Sequence, residues 1–285
     1  VVYSNIANNY NRYGFIKTKF GQMGIADESA PFPNSTNLYF THYPPLLPIL
    51  IAISFRIFGE SEVSARLIPI VSSVLMLIFV FAIGKKISNI YVGLMAVVFT
   101  IIIPIFYYFG KLPVHETVLP AFVLGSVYFF LKYVDSERIT DYFLLIFFLI
   151  ISFLISWPGY YIVPQLIIYS YIFVKSKKVR KKILLLISLA MLFFTLHLIH
   201  LRILTGSFFG GGLLDVLEFR VNPYQTAELY GFSLKRFLSV EFRYFIIYFT
   251  KILFLFSIIW LISFFYRLKN GTMNRLEAML FFLFL

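Results

Sequence analysis

The chain reads as an all-α protein, a polytopic membrane helical bundle with an external N-terminal segment carrying interfacial helices. Three observations predict this. Of its 285 residues, 60% are hydrophobic and only 13% are charged. Soluble domains average about 25% charged and about 45–50% apolar residues. Mean hydropathy is +0.86. Apolar runs of roughly the length of a crossing, about 20 residues, also recur along the chain. A water-soluble core of this size would leave too much apolar surface uncovered.

The composition excludes other classes. Richness in Phe, Leu and Ile argues against disorder. With zero cysteines there is no disulfide framework, thiolate metal site or Cys nucleophile. The net charge of +12 comes from 25 Lys and Arg against 13 Asp and Glu. In a soluble protein that excess would suggest nucleic acid. Here the bases flank apolar runs, so a membrane face accounts for many of them and no nucleic-acid partner is expected. The chain begins at Val1 without a signal peptide and stops inside the apolar run 279–285. A fragment truncated at both ends, lacking a first transmembrane helix, is the expectation.

Taken in order, residues 2–13 predict a short helix. Tyr3, Ala7 and Tyr10 can share a face, and Gly14 is a natural stop. Pro31–Thr36 predicts a loop. Asn34-Ser35-Thr36 and Asn270-Gly271-Thr272 match the glycosylation sequon only formally. Pro45–Gly59 is apolar but short, and it carries Pro48 and Arg56. It reads as a helix lying along the outer face with Arg56 toward water. A short tilted crossing is the alternative, and it would invert every later loop.

The expected crossings are 67–84, 90–109, 117–133, 141–157, 159–174, 183–201 and 244–266. A truncated run follows from 276. Lys85-Lys86, the set Lys175 to Lys182, and Arg267, Lys269 and Arg275 then fall on one side. Short basic loops face the cytoplasm. Residues 1–66, the loop 110–116, Trp157-Pro158-Gly159 and the loop 202–243 are external. Of the 25 bases, 13 lie inside, 11 outside and one, Lys251, within a span. The domain reading is an external segment 1–66 and a bundle 67–285 of about seven full spans.

Soluble-enzyme signatures are absent. Gly210-Gly211-Gly212 is no phosphate loop, because no Lys-Ser/Thr follows it. Four external groups can carry chemistry. Two prolines after Thr41-His42-Tyr43 hold His42 and Tyr43 at the surface, where they can meet a phosphate or metal, or serve as a rigid turn. His115-Glu116 lies between two spans, where a carboxylate and an imidazole are costly unless they face water, a partner or a ligand. His197 and His200, spaced i, i+3, share a helix face as a two-His metal pair requires, or as interfacial histidines do. Arg202, Arg220, Lys235, Arg236 and Arg243, with the deeper Lys251, suit a lipid phosphate or ordinary snorkelling. A divalent metal is the candidate cofactor, with His42, His197 and His200 as candidate ligands.

Taken together, these segments resemble the GT-C glycosyltransferases, in the branch of the protein O-mannosyltransferases and aminoarabinose-transferase-like enzymes. Tyr3-Ser-Asn-Ile-Ala7-Asn-Asn-Tyr10-Asn-Arg-Tyr-Gly14 is similar to the family's first external helix. His42-Tyr43-Pro44-Pro45-Leu46 is similar to its His-Pro-Pro-Leu turn, with Tyr43 as an insertion. Phe58-Gly59-Glu60-Ser61-Glu62-Val-Ser-Ala65-Arg66-Leu-Ile-Pro69 resembles the junction into the next span. Pro113-Val-His115-Glu116-Thr-Val-Leu-Pro120 resembles the second external loop, where the family places an acid. The resemblance covers residues 1–135; beyond them only the hydrophobic bundle and its loop match.

The resemblance implies a sugar donor on a polyprenyl or dolichyl phosphate, and a protein, lipid or glycan acceptor. Chemistry would take place at the outer face of a multi-pass protein in the plasma membrane. An acid would deprotonate the acceptor hydroxyl and bases would stabilise the leaving phosphate. The family's principal acid precedes the first external helix, so here it would fall upstream of Val1. Among the residues present, Glu116 and His42 are the expected catalytic pair, with Asp27 and Glu28 second. Tyr3, Tyr43, Arg66 and His115 join the external bases as expected donor-binding residues. A transporter or lipid flippase is the alternative function, and it would require charges deep in several spans.

Overall fold

The computed structural model describes residues 2–24, 32, 39–208 and 234–270. Helix α1 (Val2–Tyr13) opens the chain. Gly14 ends it at φ +87°, a left-handed conformation that glycine adopts at no steric cost, and its N–H reaches the Tyr10 carbonyl at 2.9 Å. Two short strands, β1 (Gln22–Met23) and β2 (Tyr39–Phe40), pair antiparallel. Helix α2 (Leu46–Phe58) follows.

The packed face of α1 is the one its spacing predicts. Ile6, Ala7 and Tyr10 are buried against Leu47, Ile51, Ala52 and Phe55 of α2. Ala65, Val118, Leu119 and Ile155 complete that cluster. Polar contacts reinforce it: Asn11 Nδ2 donates to the Ala52 carbonyl at 3.1 Å. Arg56 is exposed and donates from Nε to Asn11 Oδ1 at 2.7 Å, with its guanidinium over the Phe15 ring. At 13 residues and about 1.5 Å per residue, α2 falls well short of a core of about 30 Å.

Next come the helices α3 (Glu62–Ile87), α4 (Ile90–Ile102), α6 (His115–Ser136) and α7 (Ile139–Ile155). Helix α5 (Pro104–Phe109) is one short piece between α4 and α6. Ser61 caps α3 through a reciprocal bond pair with Ser64. The expected crossing 90–109 is broken in two. Ile103 is extended (φ −67°, ψ 129°) because it precedes Pro104, whose ring disfavours helical geometry at the residue before it.

A 3₁₀ turn, Trp157–Tyr160, leads to α8 (Ile162–Phe173), α9 (Lys177–Leu184) and α10 (Leu186–Thr205). The last described helix is α11 (Leu234–Lys269), kinked where Thr250 takes φ 68° and ψ 153°. Among the described residues, four helical stretches are long and apolar enough to cross a membrane: Glu62–Ile87, His115–Ser136, Lys177–Thr205 and Phe237–Lys269. The apolar helices α2, α4 and α7 are shorter, as is α8 with 12 residues. The expected crossings 90–109, 141–157 and 159–174 therefore appear as shorter helices, interrupted at Pro104 and at the Ser156–Tyr161 turn.

Packing divides the bundle into two apolar clusters. One joins α1 and α2 to the start of α6 and the end of α7. The other joins the far halves of α6 and α7 to α8, α9 and α10 through Phe130, Tyr133, Leu145, Leu149, Tyr169 and Ile183. Helices α3 and α4 approach at paired glycines. A Cβ on Gly84 would lie 2.9 Å from the Gly93 Cα, and one on Gly93 2.7 Å from the Phe81 carbonyl oxygen.

Candidate active site

The first turn of α6 places two adjacent polar side chains in different surroundings. Neighbouring residues on a helix point about 100° apart, so they cannot share a face. His115 is 2% exposed. Its ring packs edge-on against Tyr3, at 4.7 Å between centroids, and tilted against Tyr43 at 4.5 Å. Both its ring nitrogens are buried without a hydrogen-bond partner among the described residues. Such orphaned nitrogens are rare in native interiors and point to a polar partner that the described residues do not supply.

Glu116 is exposed and lines a cavity of about 400 Å³. The cavity wall is otherwise mostly apolar, with Met76, Phe106, Phe109, Pro120, Tyr248 and Phe249. A first-turn position suits a carboxylate, because the free N–H groups of the helix end point its way. The loop before it is pinned on both sides. Ser73 Oγ donates to the Gly110 carbonyl at 2.7 Å, and Thr117 Oγ1 to the Phe109 carbonyl at 2.6 Å. A second cavity of about 830 Å³ lies between α3, α4, α6 and α8 and shares Met76 and Pro120 with the first.

The His42-Tyr43 turn closes over His115. The His42 and Tyr43 rings are 4.4 Å apart, and Phe40 is 6.2 Å from each. Gln22 Nε2 donates to the Tyr43 carbonyl at 2.5 Å, and Trp157 Nε1 donates to the His42 carbonyl at 2.5 Å. Burial first, then the Glu116 charge, then Tyr43 hold the Tyr3 phenol well above its ordinary value. Tyr3 therefore remains a neutral hydrogen-bond donor beside the carboxylate. Tyr3, His42, Tyr43, His115 and Glu116 thus converge from α1, the Pro-Pro turn and α6.

Of the other expected residues, several of those described have partners outside this group. Arg66 pairs with Glu62 one turn earlier on α3, at 2.5 Å. His197 packs on Trp157, at 4.9 Å between centroids, while His200 Nε2 meets the Lys19 carbonyl at 2.8 Å. The two imidazoles of the i, i+3 pair thus face different partners. Among the described residues no group of three or more His, Asp or Glu side chains is gathered for a metal. Arg202 stacks its guanidinium on Phe208. Lys235, Arg243 and Lys251 are exposed on α11, whose Tyr248 and Phe249 line the Glu116 cavity. Arg236 also lies on α11. Asp27, Glu28 and Arg220 lie outside the described residues.

Trp157, Gln22, Phe40 and Tyr248 join the site without having been singled out in the sequence. Trp157 carried the clearest signal, a Trp-Pro-Gly connector between two apolar runs, where an amphipathic indole finds a partner for its N–H.

An acid on the wall of an apolar cavity, set among membrane-length helices, is an arrangement that a membrane-embedded enzyme can use. Residues 42–200, more than half of its length, match the dolichyl-phosphate-mannose-protein mannosyltransferase family. The chain belongs to that family, and is a membrane glycosyltransferase of its superfamily. No curated protein and no solved structure matches it significantly.

Proposed function

We propose that the protein transfers a sugar from a polyprenyl- or dolichyl-phosphate donor to an acceptor hydroxyl at the outer face of the membrane. The observation that carries this reading is Glu116 on the wall of an apolar cavity, with Tyr3 and His115 beside it, in a chain of this family. The apolar walls suit the lipid part of the donor, and the polar rim suits its sugar phosphate.

In this reading Glu116 accepts the proton of the acceptor hydroxyl. The oxygen then bonds to the sugar's anomeric carbon. The bond from that carbon to the phosphate oxygen breaks, and its electron pair leaves with the lipid phosphate. The neutral Tyr3 hydroxyl, which feels the Glu116 charge, and the single N–H of the neutral His115 ring can orient the sugar phosphate. Exposed Lys235, Arg243 and Lys251 lie on the helix whose Tyr248 and Phe249 line the cavity, and in this reading they supply positive charge for the leaving phosphate.

The test is transfer of labelled sugar from a polyprenyl-phosphate donor by the full-length protein and by Glu116→Gln. General-base loss lowers the turnover number by about 10²–10⁴-fold. Turnover within threefold of wild type would remove Glu116 from the mechanism.

A further inference from the structure

We propose that the helix α9 and the residues leading into it form a binding site for anionic phospholipid headgroups, at the end of the bundle away from Glu116. The segment Lys175–Lys182 carries six bases and no acid. Val179 and Ile183 are fully buried in the apolar core, so the helix is held by one face. Lys175, Lys177, Lys178 and Lys181 are exposed. Tyr142 locks the end of the helix by donating to the Lys182 carbonyl at 2.9 Å, and the Lys182 ammonium lies 5.3 Å from the Tyr142 ring centre.

Nothing described neutralises this charge from within. Asp135 pairs with Lys86 at 2.5 Å, and Asp141 pairs with Lys132 at 3.1 Å. Among the described residues no ion pair reaches α9. Arg180 adds a second, independent observation. Its Nε is buried without a hydrogen-bond partner among the described residues, and its Nη2 makes only a long 3.4 Å contact with the Lys175 carbonyl. A guanidinium fork with an unused nitrogen is suited to a phosphate oxygen.

The place of the helix selects the partner. Lys177–Thr205 is one helical stretch of 29 residues, basic in α9 and apolar through α10. At about 1.5 Å per residue it spans about 44 Å, against about 30 Å for the hydrocarbon core and about 40–45 Å including headgroups. The basic turns of α9 therefore reach into the headgroup layer, with the apolar helix α10 behind them. A lipid phosphate meets them there without leaving the bilayer.

The experiment places the full-length protein in nanodiscs of phosphatidylcholine with 20% phosphatidylglycerol and measures the lipids retained by native mass spectrometry. Wild type is expected to enrich phosphatidylglycerol, and raising the salt from 0.1 to 1 M should reduce that enrichment, because the screening length falls from about 10 to about 3 Å. The triple change Lys177→Gln, Lys178→Gln, Lys181→Gln should lower enrichment at least about fivefold, roughly one surface lysine's attraction to an anionic leaflet. The matching triple Lys→Arg change should preserve it. Equal enrichment in the Gln variant and wild type would overturn the proposal. So would tight binding of inorganic phosphate or polyglutamate by protein in pure phosphatidylcholine discs, combined with no lipid preference.

Discussion

Trp157 donates its indole N–H to the backbone carbonyl of His42 at 2.5 Å, joining residues 115 positions apart. The same indole packs edge-on against His197 of α10. One side chain thus ties the Pro-Pro turn, the α7–α8 connector and α10 together. It fixes the height at which His42 and Tyr43 close over His115.

Trp157→Phe keeps a ring against His197 but removes the N–H, leaving the His42 carbonyl without that donor. An unsatisfied buried acceptor costs about 1–3 kcal/mol. Thermal unfolding in detergent should show a loss within that range. Turnover should fall more than stability alone explains, because the turn over His115 loses its anchor. A variant with wild-type stability and turnover would show that the bond does not hold the turn.

Two glycine-to-alanine changes separate a rigid contact from a yielding one. At Gly93 the new Cβ would meet the Phe81 carbonyl at 2.7 Å and the Lys85 nitrogen at 3.1 Å, both backbone atoms. At Gly125 it would meet the Phe148 ring at 2.4 Å. Backbone in a packed crossing can move only by separating α3 from α4, whereas a side chain can change rotamer. Overpacking costs typically about 1–3 kcal/mol. Gly93→Ala should therefore lower the melting temperature more than Gly125→Ala, and the reverse order would contradict this account of the crossing.

Tyr3 makes stability depend on alkaline pH in a defined direction. Its folded-state pKa is raised above the ordinary value of 10.0, chiefly by burial and then by Glu116. The unfolded chain ionises first, so the contribution of a neutral Tyr3 is fully present below pH 10 and is lost as pH rises above it. Tyr10 is raised in the same direction, by burial and then by Tyr39. Tyr3→Phe should flatten the fall in stability between pH 9.5 and 11 without changing its slope at pH 7–9. Identical slopes above pH 10 in the variant and wild type would place the Tyr3 hydroxyl in water.

Much of the secondary structure was legible in the amino-acid order. Helix α1 spans residues 2–13 with Gly14 at its end, as spacing and glycine stereochemistry require. Helix α2 is a separate helix with Arg56 exposed. Pro104 breaks the expected crossing 90–109 by a local effect on Ile103, which the length of an apolar run does not register. The bases of Lys175–Lys182 were legible as a cluster. Arg180's unused nitrogen was not, since it depends on what packs beside it.

The candidate site was less legible. Glu116, His42, Tyr3, Tyr43 and His115 were all singled out, and the fold gathers them. Arg66, His197, His200 and Arg202 were singled out on the same grounds and lie elsewhere, with partners of their own. Spacing along one helix shows which side chains share a face, and His197 and His200 do. It does not show what that face meets: here Trp157 at one ring and the Lys19 carbonyl at the other.

Hydropathy, proline, glycine and charge act within a few residues of where they stand, so the amino-acid order alone identifies a helical membrane protein with chemistry-bearing residues between its apolar runs. Tertiary packing is what turns His115 into the Tyr3 and Tyr43 rings and Glu116, its neighbour, to the cavity. That choice depends on how α1, α2 and α6 cross. The crossing is set by close packing of Ile6, Ala7, Tyr10, Leu47, Ile51 and Val118, side chains brought together from more than 100 residues of chain.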